Sequence, residues 1–205
     1  MSHIIKTAED LKAIYGERSP RADKKVLSRL DKHCRTFIAH CPFLTLATYS
    51  STMGADCSPK GDAPGFVKVL NDKQLAIPDR PGNNRIDSPL NMLDNPQVGL
   101  LFIIPGVKET LRVNGEVEIS IDPDLLDLLS VDGKRPRCAF VVTVKEAYIH
   151  CAKSIMRSDL WNPEKHIDRK VLPSMGRILA DHIAEDLDAE AYDASMEERY
   201  HKELY

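Results

Sequence analysis

The segment Asp79-Arg80-Pro81-Gly82-Asn83-Asn84-Arg85 gathers residue types that could hold an anion. Its Gly, Pro and Asn content crowds backbone N–H groups into one turn, and arginines stand within and at the end of it. An apolar stretch runs into it from Gln74 to Pro78, and Ser88-Pro89 opens a short helix after it. Backbone donors, a guanidinium and the positive end of a helix are what a phosphate requires. The same composition also suits a solvated surface turn. Arg112 stands in an alternating stretch, on one parity with Thr110, Asn114 and Glu116. That polar face could meet the carbonyls and ring nitrogens of a heterocycle, or simply water. Lys153, Arg157 and Trp161 are spaced four apart. On one helix they would form a cationic and aromatic face fit to stack on a flat ligand. Otherwise Trp161 anchors a strand-to-helix junction with the cations around it. Ser58-Pro59-Lys60-Gly61 reads as a turn whose lysine faces either a site or solvent.

Other chemistries find little support. His33-Cys34, His40-Cys41 and His150-Cys151 invite a metal, but the first two pairs lack the three- or four-residue spacing with which one helix chelates an ion. Buried thiols and ordinary histidines are expected instead, and no metal site. No G-x-S-x-G, G-x-G-x-x-G or G-x-x-x-x-G-K-[ST] occurs, so neither a nucleophile elbow nor a Rossmann or P-loop nucleotide cradle is expected. A net charge of -3 argues against nonspecific nucleic-acid binding. No apolar run reaches membrane-span length and no signal-peptide pattern opens the chain. Five scattered cysteines, an odd number without C-x-x-C, read as reduced thiols of a cytoplasmic protein.

Positioning these residues takes strands flanked by helices. Thr7 caps a helix carrying Leu11 and Ile14 that Gly16 stops, and Ser19-Pro20 opens a second, with Val26, Leu27, Leu30, Cys34, Phe37 and Ile38 at helical spacing. Arg18, Arg21, Lys24 and Lys25 read as its solvated face. Strands are expected at 43–49, 66–70, 74–78, 98–104, 110–121 and 140–149, with a hairpin turn at Asn71-Asp72-Lys73 and a short helix from Asp122-Pro123 to Leu129. An amphipathic stripe (Met175, Ile178, Leu179, Ile183, Leu187) and a charged tail containing Glu185 and Asp186 complete the chain. Close-spaced strands with short helical interruptions predict a mainly β, antiparallel barrel within one domain over 1–205: helical at 1–41, barrel at 43–150, helical at 153–205.

The segments Asn91-Met92-Leu93-Asp94-Asn95-Pro96-Gln97-Val98 and Glu109-Thr110-Leu111-Arg112-Val113-Asn114-Gly115 resemble the N-L-x-x-N-P-x-V passage and the R-Q-V-R-V-x-G strand of the pyridoxamine 5′-phosphate oxidase-like flavoproteins, the FMN-binding split barrels. The likeness runs from about Phe43 to Ile149. The flanking helices, the 78–85 turn and the His150-to-Trp161 segment are similar to an FMN-dependent subfamily. The resemblance implies a homodimeric FMN-dependent oxidoreductase, with hydride transfer at flavin N5 and cofactor at the subunit interface. By position, Lys68, Val69, Pro78, Asp79, Asn83, Asn84, Arg85, Thr110 and Arg112 would contact FMN. Lys60, Lys153, Arg157 and Trp161 would lie on the substrate side. Three departures matter: Gly65 opens the strand where pyridoxamine phosphate oxidases carry arginine, Asn83 to Ser88 replaces their S-x-K clamp, and Thr110 replaces glutamine. With Arg85 supplying the phosphate charge FMN binding survives these changes, whereas oxidation of pyridoxamine phosphate loses its support. A flavin or deazaflavin reductase, or a flavin- or haem-binding storage or sensor protein with His150 as axial ligand, are the alternatives on the same barrel.

Overall fold

The computed structural model describes residues 3–17, 19–183 and 187–205; Arg18, Glu185 and Asp186 lie outside them. Thr7 accepts a hydrogen bond from the Asp10 N–H and Gly16 ends the helix at positive φ, giving α1 (Ala8–Tyr15). The long helix expected after Ser19 is instead two short ones, α2 (Pro20–Lys24) and α3 (Lys32–Ala39). Between them Leu27 pairs its backbone with Ala147 in both directions. Asp31 restarts the helix by accepting from the N–H groups of His33 and Cys34. A strand backbone left open on one side at Ala147 satisfies Leu27 and thus overrides a helical period that continues through it.

Among the described residues seven strands form one antiparallel sheet: β1 (Phe43–Ser50), β2 (Gly54–Gly61), β3 (Lys68–Asn71), β4 (Gln74–Asp79), β5 (Gln97–Ile103), β6 (Thr110–Ser120) and β7 (Cys138–His150). Their spatial order is β2-β1-β5-β6-β7-β4-β3. Ser58, Pro59 and Lys60 belong to β2 and not to a turn. Pro59 is accommodated because β2 is an edge strand, where the missing N–H costs no ladder bond. The parity read in the sequence places Leu111, Val113 and Val117 in the core with Leu44, Leu46, Leu100, Phe102, Leu75, Ile77, Phe140 and Val142. Each fully buried large side chain contributes roughly 1.5–3 kcal/mol. Ile121 leaves that pattern and is exposed, because β6 has ended before it.

Helix α3 closes the core with Cys34 and Ile38. Helix α4 (Asp87–Asp94) packs Met92 and Asn91 against β1, where the Asn91 amide donates to Thr48 Oγ1 at 3.1 Å. The cysteines beside His33 and His40 are core residues, and Cys41 Sγ donates to the Phe43 and Ile103 carbonyls. Burial first, then the Asp31 carboxylate, pushes the Cys34 thiol up to about 11. Helix α5 (Pro123–Leu128) starts at Asp122, whose carboxylate accepts from the Leu125 N–H. Helix α6 (Lys153–Ser158) follows β7.

Beyond it, α7 (Met175–His182) and α8 (Ala189–Glu203) form a hairpin. They approach so closely at Gly176 that a Cβ there would lie 2.3 Å from the Ala189 carbonyl oxygen. Gly176→Ala should therefore open the hairpin while leaving the barrel folded. The check is loss of α-helical circular dichroism together with an unchanged main thermal transition; a fall in that transition would show that hairpin and barrel unfold as one.

Candidate functional site in the split of the barrel

The two ends of the sheet curl toward each other without pairing. β2 is the outermost strand at one end and β4 the second strand from the other, yet side chains join them. Lys60 Nζ lies 2.6 Å from Asp79 Oδ1, each side chain 20% exposed, and 5.2 Å from the Phe140 ring centre. Just beyond, Arg80 Nε donates to Asp62 at 2.8 Å, with the Asp62 side chain only 2% exposed. Lys60, Asp79 and Arg80 line a cavity of about 430 Å³. Its walls come from the end of β2, the turn after β4, the start of α4 and Arg137 before β7.

The residues predicted to hold a phosphate do gather at this cavity, in altered roles. Asn84 takes the left-handed conformation, φ 60°, which asparagine tolerates better than other residues bearing a Cβ. The Arg85 N–H is already taken by Asn83 Oδ1 at 3.0 Å, so it is not a free donor. The Arg85 side chain is 76% exposed and ion-paired to Asp87, which holds the guanidinium charged. Arg80 is committed to Asp62 and lies over the Tyr205 ring, 5.5 Å from its centre. Asp56 accepts hydrogen bonds from Ser58 and the buried Ser88. Lys68 on β3 donates to the Gly65 carbonyl and lines a smaller neighbouring cavity of about 120 Å³ with Arg80. Val69 packs against the core.

Sequence reasoning missed Arg137. Its backbone N–H donates to the Asp79 carbonyl at 3.1 Å, and its guanidinium donates to Asn84 Oδ1. The only signal was a charged Lys134-Arg135-Pro136-Arg137 loop, and nothing local distinguishes its three cations.

The family model for pyridoxamine 5′-phosphate oxidase matches residues 30–151, more than half of the chain and the whole sheet. This protein belongs to the pyridoxamine 5′-phosphate oxidase family. No curated protein matches it. Among solved structures it is similar to an FMN-binding protein from Syntrophomonas wolfei (14% identity, 69% of this chain and 97% of that one, TM-score 0.47). It is also similar to HupZ of Group A Streptococcus (14%, 58% and 92%, 0.47) and to general stress protein 26 of Bacillus anthracis (16%, 56% and 88%, 0.44). Such distant likenesses add nothing beyond the family.

In this family member the remaining predicted residues stand elsewhere. Thr110 pairs with His150 and Arg112 with Tyr148, at the far end of β7 from Cys138, the partner of Asp79. β7 has 13 residues, so its ends are separated by roughly 40 Å along the strand at about 3.3 Å per residue. One chain therefore does not bring the turn and Arg112 to a single ligand. Arg112 donates to Tyr148 Oη at 3.1 Å and is exposed, whereas Thr110 is buried. Lys25 is not merely solvated: its Nζ donates to the Ile149 carbonyl and lies 5.3 Å from the Tyr148 ring centre. Burial, then Arg112 and Lys25, lowers the His150 pKa.

The single helical face of Lys153, Arg157 and Trp161 does not form. Asp159 turns left-handed and ends α6 at Ser158. Trp161 Nε1 then donates to the Val107 carbonyl at 2.8 Å, the anchoring arrangement. Trp161 nonetheless lines a second groove with Lys108, Ile155 and Met156.

Proposed function

We propose that this protein is an FMN-dependent oxidoreductase whose cofactor lies between two copies of the chain. The observation that carries this reading is the polar cavity in the barrel split of a pyridoxamine 5′-phosphate oxidase family chain. Arginine, asparagine and serine side chains surround it, with apolar Phe66, Pro78 and Ile86 beside them. That donor set fits a phosphate and its polyol tail: guanidinium for the anion, amide and hydroxyl groups for the alcohols.

FMN when bound supplies hydride transfer at N5. The chain's own groups bind and orient. The turn and Arg137 hold the phosphate end, while the Lys60–Asp79 pair and Phe66 border the inner cavity. Thr110, Arg112 and Trp161 lie too far along the same chain to reach that ligand. In a twofold dimer the second copy presents them, so each site takes its phosphate end from one subunit and its ring contacts from the other. For a haem held by this cavity of one chain alone, no histidine among the described residues lines it to serve as axial ligand.

FMN titration of the purified protein tests the reading. Quenched flavin fluorescence saturating at one FMN per chain, on a species of twice the chain mass, is expected. A Soret band, a monomer that binds FMN fully, or no flavin binding would overturn it.

A further inference from the structure

We infer that Arg137, and not the turn arginine Arg85, carries the phosphate-binding charge of the cavity. The inference rests on the FMN reading for the ligand's identity, but the residue assignment stands on charge pairing.

The cations that border the cavity are Lys60, Arg80, Arg85 and Arg137. Three are discharged by carboxylates: Lys60 by Asp79, Arg80 by Asp62 and Arg85 by Asp87. Arg85 also lies in the field of Asp56. An anion approaching Arg85 must compete with two carboxylates already in place, and a doubly charged phosphate would be repelled by both. Arg137 differs. Among the described residues its side-chain partner is a neutral amide, Asn84 Oδ1. An amide positions a guanidinium without cancelling its charge, and four of the five N–H donors stay available for a bidentate oxyanion.

The neighbours of Arg137 in the chain sharpen the contrast. Arg135 is bound at two nitrogens by Asp127, and Lys134 donates to the Tyr205 carbonyl. Of the cations on this loop, Arg137 is the one that faces the cavity. It is also braced at the backbone, where its N–H donates to the Asp79 carbonyl at the last residue of β4. The left-handed Asn84 gains a purpose here. Its conformation carries the amide oxygen to a guanidinium that arrives from a loop 53 residues later.

The test compares FMN with riboflavin, which differ by the phosphate, in fluorescence titrations of five proteins. The wild type should prefer FMN. Arg137→Ala should weaken FMN by about tenfold to a hundredfold, the range for a charge-assisted pair, and riboflavin by less than about threefold. Arg137→Lys should recover part of the preference. Arg85→Ala should cost FMN clearly less than Arg137→Ala, and Arg135→Ala should change neither flavin. Equal losses of both flavins in Arg137→Ala, or a preference that disappears with Arg85 instead, would overturn the assignment. If the wild type binds neither flavin, the FMN reading fails by itself. Inorganic pyrophosphate then decides the anion role: thermal protection of the wild type but not of Arg137→Ala sustains it, and protection of neither or of both overturns it.

Discussion

Gly115→Ala is expected to destabilise the barrel by about 3 kcal/mol or more, a larger effect than any other single-methyl addition in the sheet. A Cβ at this position would lie 2.3 Å from the Thr143 carbonyl oxygen and 2.9 Å from Val142 Cγ1. The nearer atom is backbone, held in the β6–β7 ladder, so relief requires the two strands to part. The site lies at the irregularity between Asn114 and Gly115, where the register steps past one residue of β7. Bulges bring backbones into such close approach, and glycine is the residue that permits it. Gly99→Ala is the internal control. Its Cβ would find Asn114 Oδ1 at 3.5 Å and Ala47 Cβ at 3.8 Å, ordinary contacts, so a change within about 1 kcal/mol is expected. Urea unfolding of both variants measures the difference. Equal midpoints would show that the ladder yields at Gly115.

Which parts of this molecule its sequence discloses depends on whether the deciding interaction is local. Thr7 and Asp122 act on N–H groups three residues ahead of them, and both caps were legible. The alternation of Leu111, Val113 and Val117 also needs no distant information, because one face of a strand either meets a core or does not. Where a distant partner decides, local reading fails. The helical period through Val26 and Leu27 yields to Ala147, and a turn-like Ser58-Pro59 becomes an edge strand paired with β1. Trp161 keeps the four-residue spacing of its predecessors, yet Asp159 breaks the helix and the indole finds Val107.

The candidate site follows the same division. The turn at Asn83 and Asn84 announces itself by residue type. The charge balance around it does not, because most of it rests on pairs between segments distant in the sequence. Arg80 finds Asp62 across the split, and Lys60 finds Asp79. Arg137 reaches Asn84 from the other side of two strands and two helices. Residue types thus located the cavity, while folding decides which of its guanidinium groups is left without a carboxylate partner.

Loss of the Asp62 carboxylate is the second large effect expected. Burial alone would push this carboxyl up, but hydrogen bonds from Tyr205, the Ala63 N–H and Arg80, with the Arg80 charge, outweigh it and hold the pKa below its ordinary value. A carboxylate with a depressed folded-state pKa contributes stability that is present above its unfolded value, near pH 4, and is lost as pH falls through the folded value. Asp62→Asn should therefore flatten the acid limb of the stability profile below about pH 4 as well as lower stability at neutral pH. At pH 7 the cost is about 2–4 kcal/mol, because Arg80, whose side chain is 15% exposed, keeps its charge without a counterion. The double variant Asp62→Asn with Arg80→Met should be less destabilised than the sum of the two singles, since removing both charges leaves none stranded. Tyr205 adds a spatial readout, because its hydroxyl donates to the same carboxylate while Arg80 lies over its ring. In Asp62→Asn the tyrosine loses its charged acceptor, and limited proteolysis near Tyr205 should accelerate. An unchanged acid limb and unchanged cleavage would show that the Asp62–Arg80 pair is solvent-screened and does not brace this part of the split.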